Sequence, residues 1–338
     1  MTRPPGAHDL SAGPAVLDRV ADVATTALER YGRGPGTTVT LIDVSENATF
    51  RVDDPTAGPS VLRVHRLDYH GPGAIDSELA WMDALRREAG VRTPRVIESV
   101  AGERVVSVPD PAGGGDRRCV MFEYLDGRPP AERDGDSFEE LGEITARMHR
   151  HSRGWRRPPG FTRFDWDYEA ALGRVARWGR WQDGAGMGPA ELEVLGRLDR
   201  TLHERLARFG TGPGRHGLVH ADTRLANLLV AGDGSVSVID FDDSGFSWFL
   251  YDLGTSVSFF EHQPQVPELI DRWLTGYRRH LALPADDEAE IWTFILFRRL
   301  LLVAWIGSHG GVELARRLGA GYTAGTCELA ERYLSRVT

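Results

Sequence analysis

The sequence predicts an α+β fold of two lobes, with a small lobe built on an antiparallel sheet and a large lobe that is mainly helical. Apolar and polar residues alternate between residues 38 and 66, which is the period of strands. From residue 137 onward apolar residues recur mostly at the period of helices. The chain has 338 residues, enough for two lobes of ordinary domain size. We expect a flexible tail at 1–13, a small lobe at 14–125 and a large lobe at 126–338.

The small lobe is expected to begin with a helix, because several apolar residues share one helical face. These residues are Val16, Val20, Val23, Ala27 and Leu28. The elements that follow are strands at 38–44, 48–52 and 60–66, a helix at 75–88, and short strands near 95–100, 103–108 and 117–124. The polar turn Ser45-Glu46-Asn47 joins the first two strands, and the breaker Pro129-Pro130 follows the end of the lobe at Leu125.

The large lobe is predicted to be helical with one exception. Its expected helices lie at 137–151, 166–181, 189–209, 248–260, 266–281, 286–306 and 311–335. Between residues 217 and 241, two apolar runs instead flank Gly232-Asp233-Gly234. This pattern predicts a tight hairpin of strands 228–230 and 236–239.

Composition narrows the class of protein. Apolar residues make up 41% of the chain and charged residues 26%, as in globular proteins, and the net charge of −9 argues against a general nucleic-acid binder. The longest apolar runs, such as Leu300–Ile306, are short for a bilayer, and the chain starts without an apolar run of signal-peptide type. Cys119 and Cys327 make neither a disulfide framework nor a metal cluster, so we expect a cytoplasmic protein.

Polar residues that carry chemistry cluster around the predicted hairpin. The segment from His220 to Asn227 precedes it, and the segment from Ile239 to Asp243 follows it. Because the two strands pair, their open ends make Asn227 and Asp240 neighbours that offer hard oxygen ligands, which suits Mg²⁺. Asp222 lies on the loop before the hairpin, where a carboxylate beside a metal-bound phosphate can accept a proton from an attacking hydroxyl.

The spacing H-x-D-x-x-x-x-N followed by D-F, which starts at His220, resembles that of the protein-kinase-like fold. Over roughly residues 38–335 the chain is similar to the aminoglycoside phosphotransferase family, whose relatives include choline kinases, homoserine-type kinases and the bacterial stress-response kinase A group. The resemblance implies that Asp222 is the catalytic base, that Asn227 and Asp240 are metal ligands, and that His220 is structural. It also implies Mg²⁺, with ATP or GTP as phosphoryl donor, a small lobe that binds nucleotide, and a large lobe that holds the catalytic residues and the substrate.

One residue that the resemblance places beside the nucleotide departs from the family pattern. Family members usually carry a lysine on the third strand, but this chain contains no lysine, and all 40 of its Lys and Arg residues are arginine. Mechanisms that need a lysine, such as a Schiff base or a Walker-type loop, are therefore excluded. The resemblance assigns Arg63 to the phosphates and Glu78 to its ion pair. The alternative is that Arg63 is a solvated strand residue.

Two further contacts to the nucleotide are implied by the resemblance. The polar turn after the first strand replaces a glycine-rich loop, with Ser45 and Asn47 as candidate side chains beside the phosphates. A plain hairpin turn is the alternative. At the hinge between the lobes, the Glu123 carbonyl and the Leu125 N–H are candidate contacts for adenine.

Charged residues around the catalytic segment have candidate roles as well. Arg224 stands where related kinases often carry Lys or His, and we expect it to neutralise charge on the transferred phosphoryl group. A surface arginine or a loop brace is the alternative. Asp242 and Asp243 lie beside the metal ligands and are candidate substrate contacts, and Asp242 is alternatively a further metal ligand. Asp252 resembles a family aspartate that braces the catalytic loop from a following helix.

These features predict a Mg-dependent phosphotransferase that moves the γ-phosphoryl group of ATP to a hydroxyl of a small molecule, such as an aminoglycoside or an amino alcohol. The alternatives are a serine/threonine protein kinase of the stress-response type and a non-catalytic pseudokinase. Only about seven residues separate Asp243 from Tyr251, which is short for a peptide-docking segment and favours small molecules. We expect neither nucleic acid nor membrane as a partner, and the sequence leaves the acceptor and the oligomeric state open.

Overall fold

The structure is a computed structural model, and it describes residues 14–44, 47–113, 115–174 and 176–337. The predicted tail at 1–13 and the turn residues Ser45 and Glu46 lie outside the described residues. The described part has the predicted α+β architecture, in which an antiparallel sheet is followed by a mainly helical region.

The small lobe is a six-stranded antiparallel sheet with two helices, α1 (Pro14–Arg30) and α2 (Ala74–Glu88). Its strands are β1 (Thr38–Val44), β2 (Ala48–Asp54), β3 (Gly58–Val64), β4 (Val96–Ile97), β5 (Val106–Pro109) and β6 (Asp116–Glu123). The strand order is β1-β2-β3-β6-β4, and β5 also pairs with β6. Strand β4 is shorter than predicted, because the hydroxyl oxygen of Ser99 accepts a 3.0 Å hydrogen bond from the Glu103 backbone N–H and the chain turns there.

The apolar face predicted for α1 is buried against the sheet. Val20 and Val23 are each 1% exposed, and they belong to one apolar cluster with Leu62, Val106 and Met121 of the strands. Full burial of an aliphatic side chain contributes about 1.5–3 kcal/mol. The apolar face that the sequence predicts therefore holds helix α1 against the sheet.

Helix α2 belongs instead to the core of the large lobe. Leu79, Trp81 and Leu85 are buried in a second apolar cluster that also contains Phe241. The ring of Trp81 meets that of Phe241 edge-on, with 5.5 Å between the ring centres. Because Phe241 lies in the segment after the hairpin, α2 ties the sheet to the loop that carries the candidate metal ligands.

The large lobe contains eight α-helices among the described residues, besides short 3-10 helices at Trp181–Asp183 and Leu225–Asn227. They are α3 (Gly135–Gly154), α4 (Tyr168–Ala171), α5 (Pro189–Phe209), α6 (Phe249–Ser256), α7 (Val266–Tyr277), α8 (Ala285–Glu288), α9 (Ile291–Ser308) and α10 (Glu313–Val337). Its strands are β7 (Phe164–Asp165), β8 (His216–Val219), β9 (Leu228–Val230), β10 (Val236–Val238) and β11 (Gly245–Trp248). Strands β9 and β10 form the predicted antiparallel hairpin, and β7, β11 and β8 form a separate sheet.

Helices α3 and α7 pack with their backbones in contact. A Cβ atom at Gly142 of α3 would overlap the carbonyl of Trp273, and one at Gly276 of α7 would overlap the carbonyl of Glu139. Only glycine permits this approach. The close packing fixes α3, which carries His149 toward the loops of the candidate site.

The helix predicted at 166–181 is wrong for the described residues. Only α4 is α-helical there, and a short 3-10 helix begins at Trp181. Helix α4 begins after Asp167, whose carboxylate accepts a 2.8 Å hydrogen bond from the Ala170 N–H. The chain leaves the helix near Gly173, and Gly179 has a left-handed φ of 91°. The aromatic spacing reflects burial rather than helical periodicity, since irregular turns still direct three tryptophans into the core. They are Trp166, Trp178 and Trp181.

Helix α9 lies at the centre of the large lobe. The segment Ala285–Ser308, longer than the run Leu300–Ile306, is by length and composition apolar enough to cross a membrane. In the structure, 83% of its most apolar window is buried inside the protein, and α9 packs against α5, α6 and α10. The apolar character of this segment is accounted for by its place in the core.

Candidate active site

The β9–β10 hairpin brings the two candidate metal ligands together. The Ile239 N–H donates a 2.9 Å hydrogen bond to the carbonyl oxygen of Asn227, so the start of β9 and the end of β10 lie side by side. The next residue, Asp240, has a left-handed φ of 61°, and its side chain is 42% exposed. Asn227 and Asp240 both line the crevice between the sheet and the large lobe, as the hairpin predicts.

Asp222 lies on the loop between β8 and the hairpin, and three side chains hold its carboxylate. Oδ2 accepts hydrogen bonds from the Asn227 amide at 2.8 Å and from Arg224 Nε at 3.0 Å. Oδ1 accepts one from Arg298 of α9 at 2.7 Å. Burial raises the pKa of Asp222, but the charges of Arg224 and Arg298 outweigh it and hold the pKa below its usual value. The carboxylate is therefore ionised at neutral pH.

Asp252 of α6 braces the loop that carries Asp222. Its Oδ1 accepts a 2.7 Å hydrogen bond from the Ala221 N–H, and its Oδ2 accepts one of 3.1 Å from the His220 N–H. Ala221 needs this support because its φ of 68° is left-handed, which costs a non-glycine residue about 1–2 kcal/mol. The same carboxylate lies 3.0 Å from Nε2 of the fully buried His149, which is thereby a structural partner.

The ion pair predicted on the nucleotide side is present. Arg63 Nη2 lies 2.6 Å from Glu78 Oε1, and the two side chains are 7% and 0% exposed. Arg63 Nη1 also lies 3.5 Å from Asp240 Oδ1. Strand β3 and helix α2 thus fix one guanidinium group at the crevice, and its burial excludes a solvated strand residue.

A cavity of about 470 Å³ lies between the sheet and the hairpin. Its polar lining includes Arg63, Glu78, Asn227 and Asp240, and its other walls include Val61, Phe122, Glu123, Tyr124, Leu125 and Leu229. Both hinge candidates, Glu123 and Leu125, therefore share this cavity with the ion pair and the candidate metal ligands. An apolar chamber with a few convergent charges suits a ligand that has a planar base and a charged tail.

A second cavity, of about 510 Å³, has Asp222 in its wall. Arg224 lines both cavities, as do Ile42 and Asp43 of β1. The other polar residues of the second cavity are Asp243, Arg298, Glu313 and Arg317, and its aromatic residues are Trp178, Phe259 and Trp305. Asp222 therefore faces a chamber other than the one that contains the hinge, which is an arrangement suited to two reactants.

Some candidate residues lie elsewhere. Asn47 is buried, and its Oδ1 accepts a 3.2 Å hydrogen bond from the backbone N–H of Arg66, so this side chain supports the backbone and is not among the residues lining the two cavities. Its neighbour Ser45 lies outside the described residues. Asp242 is buried and likewise does not line either cavity, whereas Asp243 reaches the second one.

The donor set at the hairpin fits a hard divalent cation such as Mg²⁺. The amide nitrogen of Asn227 donates to Asp222, which leaves its side-chain oxygen for a cation. Desolvation and the neighbouring carboxylates, Asp242 most of all, raise the pKa of Asp240, and the charge of Arg63 opposes the rise. A cation at this point would neutralise the crowded negative charge.

Sequence reasoning missed Arg298, Tyr69 and His70. Two adjacent arginines interrupt the apolar run of α9, and a charge in a buried helix needs a partner of opposite charge. This pattern predicts a buried ion pair, but it does not indicate which carboxylate pairs with the arginine. Tyr69 and His70 follow β3 in a loop without periodic pattern, and they contact Asp243 and Asp242 from far away in the chain. Nothing local in the sequence indicates those contacts.

Comparison with known proteins identifies the family of this chain. A model described as "Phosphotransferase enzyme family" matches residues 38–291. Amicoumacin kinase of Bacillus subtilis (strain 168) is 26% identical over 292 residues, and the match covers 83% of this chain and 82% of that protein.

Solved structures agree with this match. A microcompartment-associated aminopropanol kinase is 48% identical, with a TM-score of 0.87, covering 94% of this chain and 98% of that one. An amicoumacin kinase in complex with AMP-PNP, Ca²⁺ and Ami shares the fold at 24% identity, with a TM-score of 0.77 and coverage of 96% of both chains. The predicted fold class is confirmed, and the chain belongs to the phosphotransferase enzyme family.

Proposed function

We propose that this protein transfers the γ-phosphoryl group of ATP, with Mg²⁺, to the hydroxyl group of a small amino alcohol. The observation that carries the proposal is the 2.8 Å hydrogen bond from Asn227 to Asp222. It joins a residue lining the first cavity to a carboxylate that faces the second. Direct transfer between two bound reactants requires a base this close to the metal-bound phosphate.

The first cavity is the proposed nucleotide site. The backbone of Glu123 and Leu125 would contact the base, and Arg63 would contact the phosphates. Because Glu78 fixes the guanidinium group, Arg63 can present two nitrogens to two phosphate oxygens at once. Asn227 and Asp240 would hold Mg²⁺, which when bound neutralises phosphate charge.

In the proposed reaction, Asp222 accepts a hydrogen bond from the acceptor hydroxyl and takes its proton as the oxygen attacks the γ-phosphorus. The bond between that phosphorus and the β–γ bridging oxygen breaks, and ADP leaves with the bonding electron pair. Arg224 lines both cavities, so its charge can stabilise the phosphoryl group in transit. Arg298 keeps the carboxylate of Asp222 in one orientation.

An amino alcohol is proposed as the acceptor on two grounds. The relative that is 48% identical is an aminopropanol kinase. In addition, the second cavity places the carboxylate of Asp243 in a chamber with the rings of Trp178, Phe259 and Trp305. A carboxylate and aromatic faces together stabilise an alkylammonium group.

The protein-kinase alternative is disfavoured by the segment after Asp243. This segment enters β11 at Gly245 and α6 at Phe249, so within this described stretch no extended loop is available to dock a peptide. The pseudokinase alternative is disfavoured because every charged group of the proposed reaction is in place. We propose that the enzyme is cytoplasmic, because both of its cysteines are free, as is usual in a reducing compartment.

The test is phosphoryl transfer from radiolabelled ATP to a panel of acceptors. The panel contains aminopropanol, ethanolamine, choline, aminoglycosides and a protein extract. For each small amino alcohol, the same alcohol without the amino group serves as the control. We expect a Mg²⁺-dependent phosphate ester on an amino alcohol and little phosphate ester on its control. Label confined to protein would favour a protein kinase, and bound nucleotide without transfer to any acceptor would overturn the proposal.

A further inference from the structure

The loop after β3 supplies partners to the acidic residues that follow the hairpin. The Tyr69 hydroxyl donates a 2.6 Å hydrogen bond to Asp243 Oδ1, and His70 Nε2 lies 2.7 Å from Asp242 Oδ1. These contacts join parts of the chain that are 174 and 172 residues apart. We use the name acidic clamp for these four residues.

Tyr69, His70 and Asp242 of the acidic clamp have buried side chains, and packing holds the two rings in place. The side chains of His70 and Asp242 are 4% and 7% exposed. The ring of Phe164 stacks on His70 at 5.2 Å and lies 4.9 Å from the ring of Tyr69. Hydrogen bonds to charged groups in such a setting are stronger than those at a surface.

Asp240, two residues before the acidic clamp, has a conformation that needs support from its neighbours. Its φ of 61° is unfavourable for a residue other than glycine. On one side the chain is fixed by the 2.9 Å hydrogen bond between Ile239 and Asn227. On the other side, Phe241 is buried against Trp81, and the next two residues, Asp242 and Asp243, belong to the acidic clamp.

We propose that Tyr69 and His70 are positioning residues that hold Asp240 in its left-handed conformation, so that its carboxylate faces the metal position in the crevice. This inference rests on the proposed function, because it concerns the residues that would bind Mg²⁺. The two residues act through Asp242 and Asp243 and touch neither the nucleotide cavity nor Asp222.

A metal ion within the acidic clamp is the competing interpretation. One ligand atom each from the buried His65, His70 and Asp242 lie within 4.8 Å of one another, and Nδ1 of His65 lies 3.3 Å from Asp242 Oδ1. However, Arg66 Nη2 lies 3.8 Å from Asp242 Oδ2, and Arg163 donates to the main-chain oxygen of Asp242. Two guanidinium groups already offset the charge there, which favours hydrogen bonds over a bound cation.

The experiment compares His70→Ala and Tyr69→Phe with two matched controls outside the site. The controls are His262→Ala, at an exposed position, and Tyr168→Phe, whose hydroxyl contacts Asp199. Calorimetry measures Mg²⁺ binding in the presence of a non-hydrolysable ATP analogue, and kinetics give the Mg²⁺ concentration for half-maximal rate. We expect that concentration to rise about tenfold for His70→Ala and about threefold for Tyr69→Phe. The KM for the acceptor should stay unchanged in His70→Ala, because its partner Asp242 lines neither cavity.

His70→Gln keeps an N–H donor in reach of Asp242 and should recover most of the Mg²⁺ affinity. If His70→Ala does not fold, Tyr69→Phe carries the test, since it removes a single oxygen atom. Mg²⁺ binding identical to wild type in folded variants would overturn the inference. Stoichiometric zinc in the wild type that is lost in His70→Ala would overturn it in favour of a metal site. Because calorimetry needs no turnover, these outcomes stay distinct from a wild type that fails to transfer phosphate.

Discussion

Arg298 donates a 2.7 Å hydrogen bond to Asp222, although the two residues are 76 positions apart. The guanidinium group also donates to the Tyr251 hydroxyl at 3.1 Å and lies over the ring of Trp178. An arginine from the central helix of the large lobe thus helps to orient the proposed catalytic carboxylate, together with Asn227 and Arg224. This contact links the core of the lobe to the candidate site.

Replacing Arg298 should impair catalysis more than binding. We expect Arg298→Met to lower kcat about tenfold to a hundredfold, because Asp222 loses the partner of Oδ1, while ATP affinity changes little. Arg299→Met is the matched control, since the neighbouring guanidinium pairs with Glu261 instead. Steady-state kinetics and nucleotide titration measure both effects. An unchanged kcat in Arg298→Met would show that Arg224 and Asn227 suffice to orient Asp222.

Removing the proposed base should separate chemistry from nucleotide binding. Asp222→Asn keeps the size of the side chain and can still contact Asn227, but it cannot take a proton. We expect kcat to fall about a hundredfold to ten-thousandfold while ATP binding persists. Nucleotide titration and circular dichroism accompany the kinetics. Loss of fold in this variant would identify Asp222 as a structural aspartate.

The buried ion pair of β3 and α2 should contribute to stability as well as to binding. Arg63→Met leaves Glu78 as a fully buried charge, so we expect the free energy of unfolding to fall by about 3–5 kcal/mol. Combining it with Glu78→Gln removes that charge and should restore part of the stability without restoring ATP affinity. Denaturant unfolding and nucleotide titration separate the two effects. Equal stability of Arg63→Met and wild type would contradict the assignment.

The buried His65 should make stability depend on pH. Burial and the nearby Arg63 lower the pKa of His65 from 6.5 to about 4, although Asp242 opposes the shift. The unfolded chain therefore binds a proton that the folded chain does not, and stability falls as pH drops from about 6.5 toward 4.

This pKa shift corresponds to a contribution on the order of 3 kcal/mol to the free energy of unfolding, which is present above pH 6.5 and lost near pH 4. Denaturant unfolding of wild type and His65→Gln across that range should show a shallower slope in the variant. His262→Gln, at an exposed position, is the matched control. Parallel slopes for wild type and His65→Gln would show that His65 does not supply this dependence.

The parts of the site that follow from local pattern were predictable from sequence. Asn227 and Asp240 meet because a tight hairpin joins their strands, and Arg63 meets Glu78 because a strand and the next helix pack together. Each of these relationships depends on residues close in the chain. The periodicity of neighbouring residues is enough to establish them.

Contacts between distant segments were not predictable in this way. Arg298 reaches Asp222 from 76 positions away, and His70 reaches Asp242 from 172 positions away. The periodicity of neighbouring residues does not predict contacts over such separations. The helix predicted at 166–181 fails for a related reason. Its tryptophans are buried by contacts with remote strands and helices, which produce an apolar spacing without a helix.

The proposed role of Arg63 at the phosphates has a consequence for the pH range of nucleotide binding and for chemical labelling of the protein. A guanidinium group stays protonated through the alkaline range, so Arg63 would still bind a nucleotide at a pH where the ammonium group of a lysine begins to lose its charge. Since no lysine side chain exists in this chain, acetyltransferases and amine-reactive labels find no side-chain target in the crevice. Dyes or cross-linkers that attack lysine should leave turnover intact.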